Sequence, residues 1–375
     1  MSIRQYNLGS IVKPGFNPLG AQTTTTLYNL FGWGDNTQGQ LGLGNTTAYS
    51  SPKQVGSLTA WSKISSGNNF SISIKTDGSL WSWGRNDQGQ LGLGNTTYYS
   101  SPKQVGSLLT WANIQTGTFH TIATKTDGTL WTWGNGANGK LGLGNTTSYS
   151  SPKQVGALTN WSKGFGGRNF TVAIKTDGTL WSWGQNAFGN LGLGNTTYYS
   201  SPKQIGALTN WLNIACGYGH VAATKTDGTL WTWGFNSRGQ LGLGNTTYYS
   251  SPKQVGALTT WLRVAAGYPY TMSTKTGGTL WGWGRNQFGQ LGLSNTTSYY
   301  SPKQVGALTT WLDVSVKTNS TVAIKTDGTL WSWGKNEPGQ LGLNKLTYYS
   351  SPKQVGLSTS WLSIAIGDFT TLAIG

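Results

Sequence analysis

The sequence predicts an all-β, seven-bladed β-propeller, on three observations. The chain repeats at a period of 50 residues without insertion or deletion: Trp61, Trp111, Trp161, Trp211, Trp261, Trp311 and Trp361 form one column and Pro52 through Pro352 another. A period of that size marks a repeat architecture, whose units bury their faces against neighbours. Each unit carries four short β-like segments divided by turn signals, the make-up of one blade. The two ends are also complementary. The last unit stops after Trp361-Leu362-Ser363-Ile364 and Thr371-Leu372-Ala373-Ile374, while Leu30-Phe31-Gly32-Trp33-Gly34 aligns with Leu80-Trp81-Ser82-Trp83-Gly84. One blade is therefore shared between the termini. A linear solenoid would instead want polar caps.

Residues 1–25 belong to no repeat and form an expected N-terminal arm; 26–375 form the propeller. Gly9, Pro14, Gly15, Pro18 and Gly20 give the arm a linker composition. Ile3, Tyr6, Leu8, Ile11, Val12, Phe16 and Leu19 are its apolar residues, expected to dock on a protein partner in a larger assembly.

Within the unit 61–110, Trp61–Gly67 reads as a first strand ending in a glycine turn, and Ser71-Ile72-Ser73-Ile74-Lys75 alternates as a second. Thr76-Asp77-Gly78 is a tight turn with glycine free for positive φ. Ser79–Gly84 is the third strand, with Trp81 and Trp83 on one face. A long loop, Arg85–Thr97, precedes the fourth strand at Pro102-Lys103-Gln104-Val105. Proline and lysine there suit an outermost edge that must resist foreign pairing.

Composition narrows the function. The net charge is +16, from 26 Lys+Arg against 10 Asp+Glu. Such an excess fits nucleic acid, an anionic surface or an anionic polymer. However, seven lysines repeat as Lys53 to Lys353 and six as Lys75 to Lys325, so solubility and edge protection account for much of it. No apolar run reaches membrane-spanning length, and Met1-Ser2-Ile3-Arg4-Gln5 lacks a signal-peptide pattern. The single Cys216 excludes an internal disulfide.

Catalytic constellations are sparse, and no enzyme activity, cofactor or metal is expected. Five of the ten acids (Asp77, Asp127, Asp177, Asp227, Asp327) sit in hairpin turns. Asp35 and Asp368 share the closing blade and are the one candidate carboxylate pair, with ordinary loop roles the expectation. His120 and His220 occupy equivalent loop positions two blades apart, too few for a metal site. Cys216 reads as a buried thiol. The glycines of Gly89–Gly94 open no helix and so form no phosphate loop. Asn45-Thr46-Thr47 and its copies match a glycosylation pattern but read better as turns.

Because most columns are uniform, recognition falls to the variable ones. These follow the first and third strands, whose loops share one end of the ring around the axis. The candidate face comprises Phe70, Arg85, Phe119, His120, Arg168, Phe170, Phe188, Tyr218, His220, Phe235, Arg238, Tyr268, Tyr270, Arg285 and Phe288. Aromatic and arginine side chains give contact area and directed hydrogen bonds at low entropic cost. The paired tyrosines before four of the outer strands, Tyr98-Tyr99, Tyr198-Tyr199, Tyr248-Tyr249 and Tyr348-Tyr349, are expected to pack between blades.

The segment Trp83-Gly84-x-Asn86-x-x-Gly89-Gln90-Leu91-Gly92-Leu93-Gly94, with Gly67 and Thr76-Asp77-Gly78-Ser79-Leu80-Trp81 upstream, resembles the regulator-of-chromosome-condensation repeat family. The resemblance runs over about residues 27–375 and implies the seven-bladed fold. Lys-Thr-Asp-Gly-Thr-Leu-Trp is also similar to tectonin-type lectin propellers. The founding member's role, nucleotide exchange on a small GTPase with chromatin binding, is associated with a wedge insertion and a basic tail. This chain has no insertion, and residues 1–25 carry only Arg4 and Lys13 as cations. Near-identical tandem units fit the bacterial and phage members, which look like binding or structural modules. The first reading is a structural or adhesive module, a phage virion surface or tail-associated protein held by its arm. The alternatives are a soluble lectin, with Tyr218, Tyr268 and Phe188 as stacking residues, and a GTPase or DNA regulator. A surface glycan or anionic polymer is the expected ligand of the face; nucleic acid is not.

Overall fold

A computed structural model describes residues 28–57 and 59–375. Seven four-stranded antiparallel sheets form the blades of the propeller. Blade 1 runs Trp61–Ser66, Phe70–Lys75, Leu80–Gly84 and Tyr99–Gln104 from axis to rim. Blades 2 to 6 repeat it at 111–154, 161–204, 211–254, 261–304 and 311–354. Blade 7 takes its inner strands, Ser363–Ile366 and Thr370–Ile374, from the C-terminal side and its outer strands, Leu30–Gly34 and Tyr49–Gln54, from the N-terminal side. Leu30 faces Ile374 and Gly34 faces Thr370, closing the ring. The seven blades and shared closure agree with the sequence reading. Outer strands begin about three residues earlier than expected, because Tyr99 pairs with Gly84.

The core lies in the seams between sheets. Phe170, Val172, Ile174, Leu180 and Leu191 of blade 3 pack against Trp211, Ile214, Val221 and Trp233 of blade 4. In blade 7 Trp361 meets Phe31 and Trp33 edge-on. In blades 1 to 6 the inner-strand Trp meets both third-strand Trp in the same way; Trp61 lies 6.2 Å from Trp81 and 6.0 Å from Trp83. Over this trio stands Lys75, 5.0 Å from Trp61 and 4.7 Å from Trp81. Lys325 sits deeper, buried, 3.6 Å from Trp331. These lysines are packing elements as well as charges, which corrects the solubility reading for this column; burial lowers the pKa of Lys75 and Lys325. The lysines of the Ser-Pro-Lys-Gln column remain exposed at the rim.

The long loop is stapled from within. Asn86 accepts from the Leu91 N–H at 2.9 Å and donates to the Asn95 carbonyl at 3.0 Å. Asn95 caps its own turn by accepting from Thr97 N–H at 3.0 Å, as the turn reading predicts. The loops therefore present their tips from a fixed frame.

Candidate functional site

The loops after first and third strands do meet at one end of the ring: the Arg85 N–H donates to the Asn69 carbonyl at 2.8 Å. There the seven inner loops converge on an axial cavity of about 260 Å³, to which every blade contributes, from Asn68 of blade 1 to Asp368 of blade 7.

Of the expected face residues, Phe119, Arg168, Tyr218 and Tyr268 line it. Five others do not reach the face at all. Phe70, His120, Phe170, His220 and Tyr270 begin second strands and are fully buried, each facing inward. A Cβ on Gly67 would stand 2.1 Å from the Phe70 ring, so the preceding glycine is the floor on which that ring lies. The same holds for Gly117 with His120 and Gly267 with Tyr270. The histidines are thus core groups rather than axial loop residues. His120 Nε2 meets Thr171 Oγ1 at 2.9 Å and His220 Nε2 meets Thr271 Oγ1 at 3.0 Å. Burial pushes His120 well below the usual imidazole range, helped by Lys140 and Lys317, and His220 down to about 3. Cys216 ends an inner strand at the cavity wall, and burial raises its thiol pKa.

The remaining candidates form the face. Arg85 grips Asp87 through two hydrogen bonds of 2.8 and 2.7 Å, donates to Asn68 at 3.1 Å and lies 5.3 Å from the Phe119 ring. Arg168 lies 4.3 Å over Tyr218, which is itself 4.3 Å from Tyr268. Phe188 and Phe235 are 4.7 Å apart and both touch Tyr248. Arg285 and Lys335 flank Phe288, with Tyr348 against it at 5.8 Å. Arg238 is exposed beside Arg285, and burial and Arg238 together lower the Arg285 pKa.

Several members of this face were missed. The first tyrosine of each pair is exposed on the loop side, as with Tyr98 and Tyr248, while the second packs between blades, as does Tyr199. Lys140 stands where five of the seven units have glutamine and is buried, donating to Asn135 and Asn169 at 2.7 and 2.8 Å. Burial first, and Arg168 second, lower it to about 8. Lys317 stands in the column of floor glycines and lines the cavity, because Ser320 has no ring to lay there. Lys317 was visible as the lone exception in a glycine column, and Lys140 as the one cation in a column of glutamines and Asn190.

Asp35 and Asp368 do not act as a pair. Asp35 accepts from Thr37 and Gln40, Asp368 from Asn68 and, at 2.9 Å, from Thr318. Among the described residues no group of three or more His, Cys, Asp or Glu is placed to hold a metal, and no helix is long and apolar enough to cross a membrane.

The axis is electropositive below the mouth as well. Inner strands carry Lys63, Lys163 and Arg263 at one level, with Asp313 3.7 Å from Arg263. Burial and then Lys163 lower Lys63; burial and then Arg263 lower Lys163. On the opposite face the turns entering the inner strands expose Leu108, Leu158, Leu208, Leu258 and Leu308, each about half accessible.

This is a seven-bladed propeller scaffold with one individual face. Residues 157–375 match the RCC1-like domain, and 29–74, 77–124 and 127–174 match the regulator of chromosome condensation (RCC1) repeat. The chain belongs to the RCC1 repeat family. In structure it is similar to Prp20p from Saccharomyces cerevisiae, a study of which describes binding to Gsp1p and histones (TM-score 0.84, 19% identity, 94% of this chain and 92% of that one). It is equally similar to human WBSCR16 (TM-score 0.83, 19% identity, 92% and 98%). Yeast RCC1 (Prp20), solved bound to Kap60, aligns over 100% of this chain and 96% of its own (TM-score 0.83, 18% identity). At such identities the likeness is one of fold. No curated protein matches the chain in sequence.

Proposed function

We propose that the protein is a non-enzymatic binding module, anchored through residues 1–25 and displaying the loop face to a ligand. The observation that carries this is the axial cavity, where the variable residues of all seven blades converge on a frame of otherwise uniform units. The polarity of the disc supports the anchoring half. The Tyr28 carbonyl accepts from the Trp61 N–H at 3.4 Å, so the chain enters the propeller on the leucine-bearing face, opposite the loop face. Ile3, Tyr6, Leu8, Ile11, Val12, Phe16 and Leu19 lie outside the described residues, and their docking on a larger assembly is part of the proposal. A virion surface or tail-associated role in a phage fits this arrangement and the near-identical tandem units.

A lectin role is the second reading, favoured by the Tyr218–Tyr268 pair at the cavity wall. Exchange on a GTPase, which Prp20p's binding to Gsp1p brings to mind, has less support, since the 50-residue steps carry no insertion. Backbone hydrogen exchange of residues 1–25 tests the anchor. Slow exchange in material from the native source and fast exchange in the isolated protein is the expected result. Fast exchange in both overturns anchoring and leaves a free binding disc.

A further inference from the structure

We propose that the axial cavity binds one sugar ring bearing a single anionic group, the terminal residue of an acidic glycan. The inference rests on the binding-module reading and names its ligand class. Size comes first. A cavity of about 260 Å³ falls just below the range of about 300–1,000 Å³ for drug-sized sites, so it takes one ring rather than an oligosaccharide.

Charge comes second. Among the described residues, Arg85 lies beside the cavity wall and is neutralised by Asp87, whereas Arg168 and Lys317 line the cavity and form no ion pair. Arg168 is held over the Tyr218 ring, which fixes its planar fork for two parallel hydrogen bonds to an oxyanion. Lys63 and Lys163 deeper on the axis add to the positive field.

The third element separates a sugar from a bare anion. Asp368 also lines the cavity, and its carboxylate accepts only from Asn68 and Thr318. An ionised carboxylate has about four acceptor sites, so two remain for hydroxyl donors. An ionised acidic side chain brings no such donors and would be repelled. A sugar ring places hydroxyls toward Asp368 and its anionic group toward Arg168 and Lys317. The Tyr218–Tyr268 pair supplies an apolar wall for the C–H face of the ring.

Titration calorimetry on the full chain tests this. The probes are the methyl glycosides of glucuronic acid, galacturonic acid, N-acetylneuraminic acid and 3-sulfogalactose, with neutral methyl galactoside and a glutamate-rich peptide as comparators. Saturable binding of at least one acidic glycoside is expected, at least about tenfold tighter than the neutral one. R168Q should weaken it about tenfold or more, and D368N should weaken it too, with thermal unfolding unchanged. The carboxylate and sulfate probes distinguish the two sources of the anion. Equal binding of the neutral glycoside overturns the assignment. Arg168-dependent binding of the peptide alone overturns the sugar but keeps the binding module. No binding by any probe overturns the sugar, and the module reading is then judged by its own exchange experiment.

Discussion

The indole N–H of Trp33 donates to the main-chain carbonyl of Gln340 at 3.0 Å, across 307 residues of sequence. The same bond recurs at each blade boundary, from Trp83 to Gln40 through Trp333 to Gln290. Thr371 donates to the same carbonyl at 2.8 Å, as do its hydroxyl-bearing equivalents in every blade but the fourth, which has Val221. Each blade is thereby tied to the loop frame of the one before it, and the termini are tied by the same means. Trp33→Phe keeps the ring but removes the donor. The expected loss is about 1 kcal/mol, because Thr371 still serves the carbonyl. It should also speed amide exchange in Thr370–Ile374, whereas Trp183→Phe, with the same bond inside the body of the ring, should leave that segment protected. Equal exchange in the two variants would deny the closure a special role.

His120 and His220 are neutral and buried, so folding excludes a proton that the unfolded chain accepts. Below the usual imidazole pKa of about 6.5, each therefore costs stability as pH falls, by up to about 1.4 kcal/mol per unit. For His220 the loss continues to about pH 3. Urea unfolding between pH 6.5 and pH 5, above the carboxylate range, should show this slope. The double change His120→Phe and His220→Phe, which installs the residue found at Phe70 and Phe170, should flatten it.

Lys140 tests the opposite end of the pH scale. Its pKa drops from 10.5 to about 8 on folding, so the folded state carries an unfavourable charge below pH 8. That cost fades as pH rises from 8 to 10.5, where the unfolded chain still holds the proton. Lys140→Gln should be the more stable protein at pH 7, and its advantage should shrink by pH 10. A constant difference would place the penalty elsewhere.

The Lys75-type column predicts a contrast. Lys325→Met keeps the stem but loses the charge over Trp331, and should cost about 0.5–1 kcal/mol. Lys353→Met, at the exposed rim, should stay within about 0.5 kcal/mol of the parent. Equal urea midpoints would return both columns to a solubility role.

Lys317 and Ser320 should be coupled. Ser320→Phe alone places a ring where the Lys317 backbone carries a Cβ, and overpacking of this kind costs about 1–3 kcal/mol. Adding Lys317→Gly recreates the arrangement of Gly67 under Phe70 and should recover most of the loss. Additive effects would sink the explanation.

The blade count, strand order and shared closure were legible because they are set by spacing, which a 50-residue period displays directly. The face was legible only in part. Phe119, Tyr218 and Tyr268 lie one or two residues before Phe70-type positions, and in a strand one residue decides between loop tip and core. The rule that separates them, a floor glycine three residues earlier, is readable in the columns but only once its reason is known. Lys140 and Tyr248 escaped because their columns look structural. Their partners, Asn169 and Phe188, come from neighbouring blades.

Closure also dictates an order of events during synthesis. Leu30–Gly34 is made early, yet its inner neighbour Thr370–Ile374 is not translated until some 340 residues later. Throughout that interval an outer hairpin waits at the ribosome with an open edge, beside successive copies of the partner it resembles. Loop-closure entropy grows only slowly with length, so distance alone is a weak obstacle. The hazard is mistaken identity: a growing chain of near-identical blades offers the waiting strand several wrong neighbours before the right one exists.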